Sequence, residues 1–140
     1  MKKILVINGP NLNILEKRES EYPNVRYKDL VAEIKSYAKT TGIKISVKQS
    51  NHEGEIVELI QKANKYDGII INAAAYSHTS IAILDALKTF KKPIIEVHLT
   101  DIQKREEYRR FSYISEIATK TISGKGIDGY KRAIDEFKKW

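Results

Sequence analysis

Gly68-Ile69-Ile70-Ile71-Asn72 and Pro93-Ile94-Ile95-Glu96-Val97 bracket a helical pattern that runs from about Thr79 to Phe90. Both outer segments are short and aliphatic and lack the polar alternation of a half-exposed strand, so both faces of their sheet must be covered. Strand, helix and second buried strand make one crossover unit, and the rest of the chain repeats it. Upstream, Ile4 to Ile7 is another aliphatic run, stopped by the turn signal Gly9-Pro10. From Arg26 to Thr40, Tyr27, Leu30, Val31, Ile34, Tyr37 and Ala38 recur at helical spacing, and Gly42 closes the helix. Lys44 to Lys48 alternates around Ile45 and Val47, and Glu55 to Lys65 carries Ile56, Leu59, Ile60 and Ala63 on one helical face. Downstream, a short polar helix is expected around Glu106, a fifth strand over 117–122 and a last helix over 127–139, with Ile127, Tyr130, Ile134 and Phe137 at helical spacing. Such strict alternation predicts an α/β domain: a flavodoxin-like, doubly wound, five-stranded parallel sheet with helices on both faces.

Bulk properties bound the answer further. A chain of 140 residues, 41% hydrophobic and 31% charged, suits one domain over 1–140 with a core of its own. With no cysteine, disulfides, thiolate nucleophiles and thiolate metal sites are excluded. Met1 to Ile7 opens like a secretory leader, but its apolar run ends at Asn8-Gly9-Pro10, so the cytoplasm is expected and no membrane is implied. The formal charge of +7 invites nucleic acid as a partner. The lysines alternate with acids, however, as in Lys28-Asp29, and this reads as a solvated surface. The same positive field would also serve a small anionic substrate.

In open α/β sheets ligands bind beyond the carboxyl ends of the strands, so the residues that follow each strand matter most. After the first come Asn8, Gly9, Asn11 and Asn13; after the second, Gln49, Asn51, His52 and Glu53. The third is followed by Asn72, Tyr76, Ser77 and His78, and the fourth carries Glu96 and then His98, Thr100 and Asp101. All three histidines therefore fall at one rim of the sheet. They lack metal-ligand spacing, and no metal site is expected. His98 is either a satisfied structural histidine or an acid–base group oriented by Glu96, which shares its strand face. His78 either belongs to a helix cap or helps to bind an anion. The polar segment at about 15–25, with Arg18 and Tyr22, is a solvated loop or a lid beside the rim. Arg105 and Arg109, one helical turn apart, share a face toward the rim or pair with Glu106 and Glu107 in solvent. No dinucleotide fingerprint, Walker loop or nucleophile elbow is present.

Taken together, Gly9-Pro10-Asn11-Leu12-Asn13, Gln49 to Glu55, Asn72 to Ser80, Glu96-Val97-His98, Arg105 to Tyr113 and Gly124 to Tyr130 resemble the type II 3-dehydroquinate dehydratases in order and spacing. The resemblance runs over essentially the whole chain. It implies a lyase of the shikimate pathway of aromatic amino acid biosynthesis, which dehydrates 3-dehydroquinate to 3-dehydroshikimate through an enolate without metal or organic cofactor. It implies Tyr22 as base, acting as tyrosinate, and His98 as the acid for the departing hydroxyl. Arg18 would stabilise the tyrosinate and Asn13 the enolate, with Glu96 and Arg105 in support. Asn72, His78, Asp85, Leu99, Thr100 and Arg109 match substrate-binding positions. Members of the family assemble as homododecamers, a tetramer of trimers.

The lid departs from the family pattern. Arginine, any residue, proline, two residues, tyrosine and glycine is the usual order, whereas here Arg18 is followed by Glu19-Ser20-Glu21-Tyr22-Pro23-Asn24. A one-residue deletion restores the register by Asp29-Leu30-Val31, which keeps Tyr22 as the matching tyrosine. Two other readings stay open at this level: a ligand-binding paralogue whose base has lost alignment, and a basic nucleic-acid module.

Overall fold

Each aliphatic run forms a strand in the computed structural model, which describes residues 1–140. In chain order the elements are β1 (Lys3–Asn8), α1 (Tyr27–Thr41), β2 (Lys44–Gln49), α2 (Glu53–Gln61), β3 (Gly68–Asn72), α3 (Ile81–Thr89), β4 (Ile94–His98), β5 (Lys120–Ser123) and α4 (Asp128–Phe137). All strand pairs are parallel, in the order β2-β1-β3-β4-β5. The chain thus winds outward from β1 in one direction and then crosses back to wind in the other, as expected for a doubly wound sheet.

Side-chain alternation divides the core in two. Ile4, Val6, Ile70, Ile95 and Val97 point toward α1 and α4, where Leu30, Ile34, Tyr130 and Ile134 meet them. Leu5, Ile7, Ile69, Ile71 and Ile94 point the other way, to Ile56 and Ile60 of α2 and Ile83 and Leu87 of α3. Because every central strand is buried on both faces, its sequence shows no polar alternation. The flanking helices close as their sequences require. Gly42 ends α1 in the left-handed region at φ 75, where a side chain would be strained. Ser80 opens α3, its Oγ accepting the Ile83 N–H at 2.9 Å.

Several expected boundaries shift. α2 starts two residues early at Glu53 and stops at Gln61, with Ala63–Lys65 in a separate 3-10 turn. β5 begins at Lys120 rather than at residue 117, after a 3-10 turn at Ile114–Glu116. The polar helix around Glu106 does not form. Two 3-10 turns, Ile102–Lys104 and Glu107–Arg109, flank Arg105 and Glu106, whose backbones are extended at ψ −177 and 149. That stretch offers no continuous apolar face for packing, and Arg105 turns inward instead of continuing a helix.

Candidate active site

The carboxyl ends of β1, β3 and β4 open onto one cleft, next to the β1–β3 switch in strand order. Gly9 allows the loops after β1 and β3 to meet here, since a Cβ on it would lie 2.4 Å from the Ala73 carbonyl oxygen. The loop after β1 contributes Arg18 and Tyr22, the segment after β3 contributes Ala74 and His78 beside Asn72, and β4 with its following turns contributes His98, Leu99, Thr100, Arg105 and Arg109.

Although the segment at about 15–25 is one residue shorter than the family pattern, Tyr22 is inside the cleft. Its hydroxyl accepts a hydrogen bond from Arg105 Nη1 at 3.2 Å. The Arg18 guanidinium lies over its ring, 4.1 Å from the centroid, and that of Arg105 lies 5.2 Å away. Two permanent cations therefore bracket one phenol. Arg105 is only 7% exposed and is anchored to the body of the protein through Thr100 Oγ1 at 3.2 Å. Burial works against its charge, yet the Tyr22 hydrogen bond and the Glu106 and Glu21 carboxylates hold the guanidinium above its usual value. Glu19 joins the lid to both arginines, at 3.0 Å from Arg18 and 3.7 Å from Arg105.

On the β4 side, His98 Nε2 donates to Glu96 Oε2 at 2.6 Å. Nδ1 is therefore the ring nitrogen left for a reactant. Glu96 is fully buried, and hydroxyls surround its carboxylate: Ser112 on Oε2, Ser115 on Oε1 at 2.5 Å and Thr121 on Oε1 at 2.9 Å. Burial alone would raise this carboxyl, but the hydrogen bond and charge of His98, with Ser112 and Ser115, reverse the effect and hold it at about 2. A fixed carboxylate beneath His98 sets the orientation of its ring. Sequence reasoning missed the three hydroxyls, which come from separate segments; serines and a threonine downstream of a buried glutamate were the only signal.

His78 does not cap α3, a role taken by Ser80. Its Nδ1–H donates to the Phe111 carbonyl at 2.8 Å, which leaves Nε2 as the free nitrogen. Burial holds this imidazole below its ordinary value, the His98 and Arg109 charges add to the effect, and the Phe111 bond and Glu96 oppose it. Neither the Leu99 nor the Thr100 backbone N–H donates to any group in the protein, so two amides stand free at the end of β4. Arg105 and Arg109 both line the cleft, although no helix places them on a common face.

Three residues stand apart from the cleft. Asn13 is exposed in the 3-10 turn Leu12–Lys17, and its Oδ1 accepts from Gln49 Nε2 at 3.4 Å. Asp85 lies on the solvent face of α3, because Ile83, Leu84, Ala86 and Leu87 take the buried face, and it does not reach the cleft of its own chain. His52 shares the rim but not the cleft, its side chain 75% exposed beside Glu55. Nowhere do three His, Asp or Glu side chains converge as a metal cage.

The family model for Dehydroquinase class II matches residues 2–138. The chain is 50% identical over 137 residues to a 3-dehydroquinate dehydratase of Clostridium botulinum strain Hall, which spans 96% of this chain and 93% of that protein. A 3-dehydroquinate dehydratase of Thermotoga neapolitana is 46% identical over 138 residues, 98% and 94% of the two chains. Among solved structures, the type II dehydroquinase from Butyrivibrio crossotus matches with a TM-score of 0.93 at 47% identity over 96% of each chain. The type II dehydroquinase from Propionibacterium acnes matches at 0.95 and 38% identity, over 100% of this chain and 98% of that one.

Proposed function

This chain belongs to the Dehydroquinase class II family and dehydrates 3-dehydroquinate in the shikimate pathway, and from that premise we propose which of its residues carry the reaction. The Tyr22 phenolate takes the proton from the carbon beside the ketone, and the electron pair moves to the carbonyl oxygen as an enolate. When the carbonyl re-forms, the new carbon–carbon double bond expels the ring hydroxyl, which leaves as water with a proton from His98. The product is the conjugated enone 3-dehydroshikimate. Tyr22 must then lose its proton and His98 regain one before the next turnover.

The observation that carries this reading is the Tyr22 hydroxyl at 3.2 Å from Arg105 Nη1 with Arg18 stacked on its ring, in the same cleft as the Glu96–His98 pair. A base at this position must be a phenolate, and two guanidiniums stand beside it. The free Leu99 and Thr100 amides suit the substrate carboxylate, while Asn72, His78 and Arg109 suit its hydroxyls. Asn13 reaches the enolate only if its turn moves inward on binding, and Asp85 has no contact to make within its own chain. We assign the whole chain to one catalytic domain, the segment at about 15–25 to its lid, and no metal or organic cofactor to the chemistry. A cytoplasmic homododecamer, a tetramer of trimers, completes the proposal, and sedimentation velocity checks that assembly. No helix is long and apolar enough to cross a membrane.

The test is an ultraviolet assay of 3-dehydroquinate in EDTA that follows the enone. Wild type is expected to turn over, and Tyr22→Phe to lose on the order of a thousandfold in kcat. Turnover that survives the substitution would move the base elsewhere, and a folded but inactive wild type would sink the dehydratase reading.

A further inference from the structure

Behind the wall of the cleft a row of polar side chains crosses the protein from α1 to β3. Tyr130 of α4 is fully buried; its hydroxyl donates to Asn8 Oδ1 at 2.6 Å and accepts from Asn72 Nδ2 at 3.0 Å. Asn8 and Asn72 are register partners at the ends of β1 and β3. Asn8 Nδ2 donates to the Tyr27 hydroxyl at 3.2 Å, and Asn72 Oδ1 accepts the Ala74 N–H at 3.1 Å.

The direction of every bond in this row follows from one end. A backbone N–H can only donate, so the Ala74 amide fixes Oδ1 of Asn72 on its own side. Asn72 Nδ2 must then face Tyr130, and because an amide nitrogen only donates, the phenol oxygen must accept. The one phenolic proton is thereby sent to Asn8 Oδ1, and the Asn8 amide turns its nitrogen to Tyr27. Of the two Asn72 Nδ2 hydrogens, one is spent on Tyr130. The other is free, and Asn72 lines the cleft.

We propose that Tyr130 is a positioning residue that locks the Asn72 amide with its N–H toward the substrate, so that this edge of the cleft recognises a hydrogen-bond acceptor. The proposal rests on the reading of Asn72 as a substrate contact. The Ala74 N–H sets which end of the amide is which, and the phenol oxygen is the second anchor; without it Asn72 is held at one end only, and its free N–H is no longer kept toward the ligand. Full burial also raises the Tyr130 phenol, which keeps it neutral and able to play donor and acceptor at once. A core phenylalanine would fill the same space, so a hydroxyl at this depth has a task that packing alone does not explain.

Steady-state kinetics on Tyr130→Phe, Asn72→Ala and the double variant test this. Tyr130→Phe is expected to raise KM about tenfold, the worth of one hydrogen bond, with kcat changed much less. The double variant is expected to match Asn72→Ala alone, because both changes remove the same contact. An unchanged KM in Tyr130→Phe, or effects that multiply in the double variant, would overturn the positioning role. An unchanged KM in Asn72→Ala would instead overturn the substrate assignment of Asn72, and with it the purpose of the row. A second readout needs no variant: in the wild type, the Asn72 side-chain amide proton held by Tyr130 should exchange with water at least tenfold more slowly than those of exposed Asn64. Equal exchange rates would count against the lock.

Discussion

Glu96 carries a charge where water is excluded, and four donors make that tenable: His98 on its own strand, Ser112 and Ser115 from the connection to β5, and Thr121 on β5. Three of these donors are hydroxyls, which hold the carboxylate without adding charge, so its one ionic partner is His98. Glu96→Gln preserves shape but removes the counter-charge to the imidazolium. It is expected to lower kcat on the order of a hundredfold while KM changes little, as steady-state assays would reveal. Ser112→Ala should do much less, since two hydroxyls and the histidine remain. At this scale much of the site was legible: Tyr22, His98, Arg18, Asn72, His78, Leu99, Thr100, Arg105 and Arg109 do line one cleft. Asn13 and Asp85 do not, because sequence order fixes neither which side of a short turn faces inward nor which residues of a helix reach a distant loop.

Among the elements, α3 is the one whose start bears directly on the cleft, since the His78 turn runs straight into it. Ser80 Oγ caps that helix on the Ile83 N–H at 2.9 Å. Ser80→Ala should cost about 1 kcal/mol. In thermal unfolding that corresponds to a Tm about 3 °C lower. The strands were legible because buried parallel strands must be aliphatic throughout, as Ile69, Ile70 and Ile71 are. α1 and α4 were legible from their one-sided apolar spacing. The stretch from Ile102 to Glu116 was not, since its conformation is set by tertiary partners. Arg105 reaches to Tyr22, Ser112 and Ser115 reach to Glu96, and none of these attachments leaves a periodic trace. Tyr130 illustrates the same limit: its helical spacing placed it in the core, where it is, but said nothing of its hydroxyl.

For the molecule as a whole, acid stability should follow from one buried group. Glu19, Glu106 and Glu136 are also held below the usual carboxylate range, but by partners at the surface, where solvent screens them. Glu96 is held at about 2 against an ordinary 4.5. The unfolded chain therefore binds a proton there before the folded one does. The contribution, on the order of 3 kcal/mol, is complete above about pH 4.5 and drains as pH falls toward about 2. Urea midpoints measured from pH 6 to pH 3 should decline steeply in wild type and more shallowly in Glu96→Gln; parallel slopes would place the acid sensitivity elsewhere. The net charge of +7 acts on a different property, arrival of the anionic substrate, and that effect fades with salt.

Arg105 fastens the lid through Tyr22 and Glu19, yet its own anchor, Thr100, belongs to the body of the protein. Were the lid to lift, this cation would stay behind in the cleft. There it would draw the incoming anion and hold back the departing one alike. So far as Arg105 acts, whatever quickens capture also delays release.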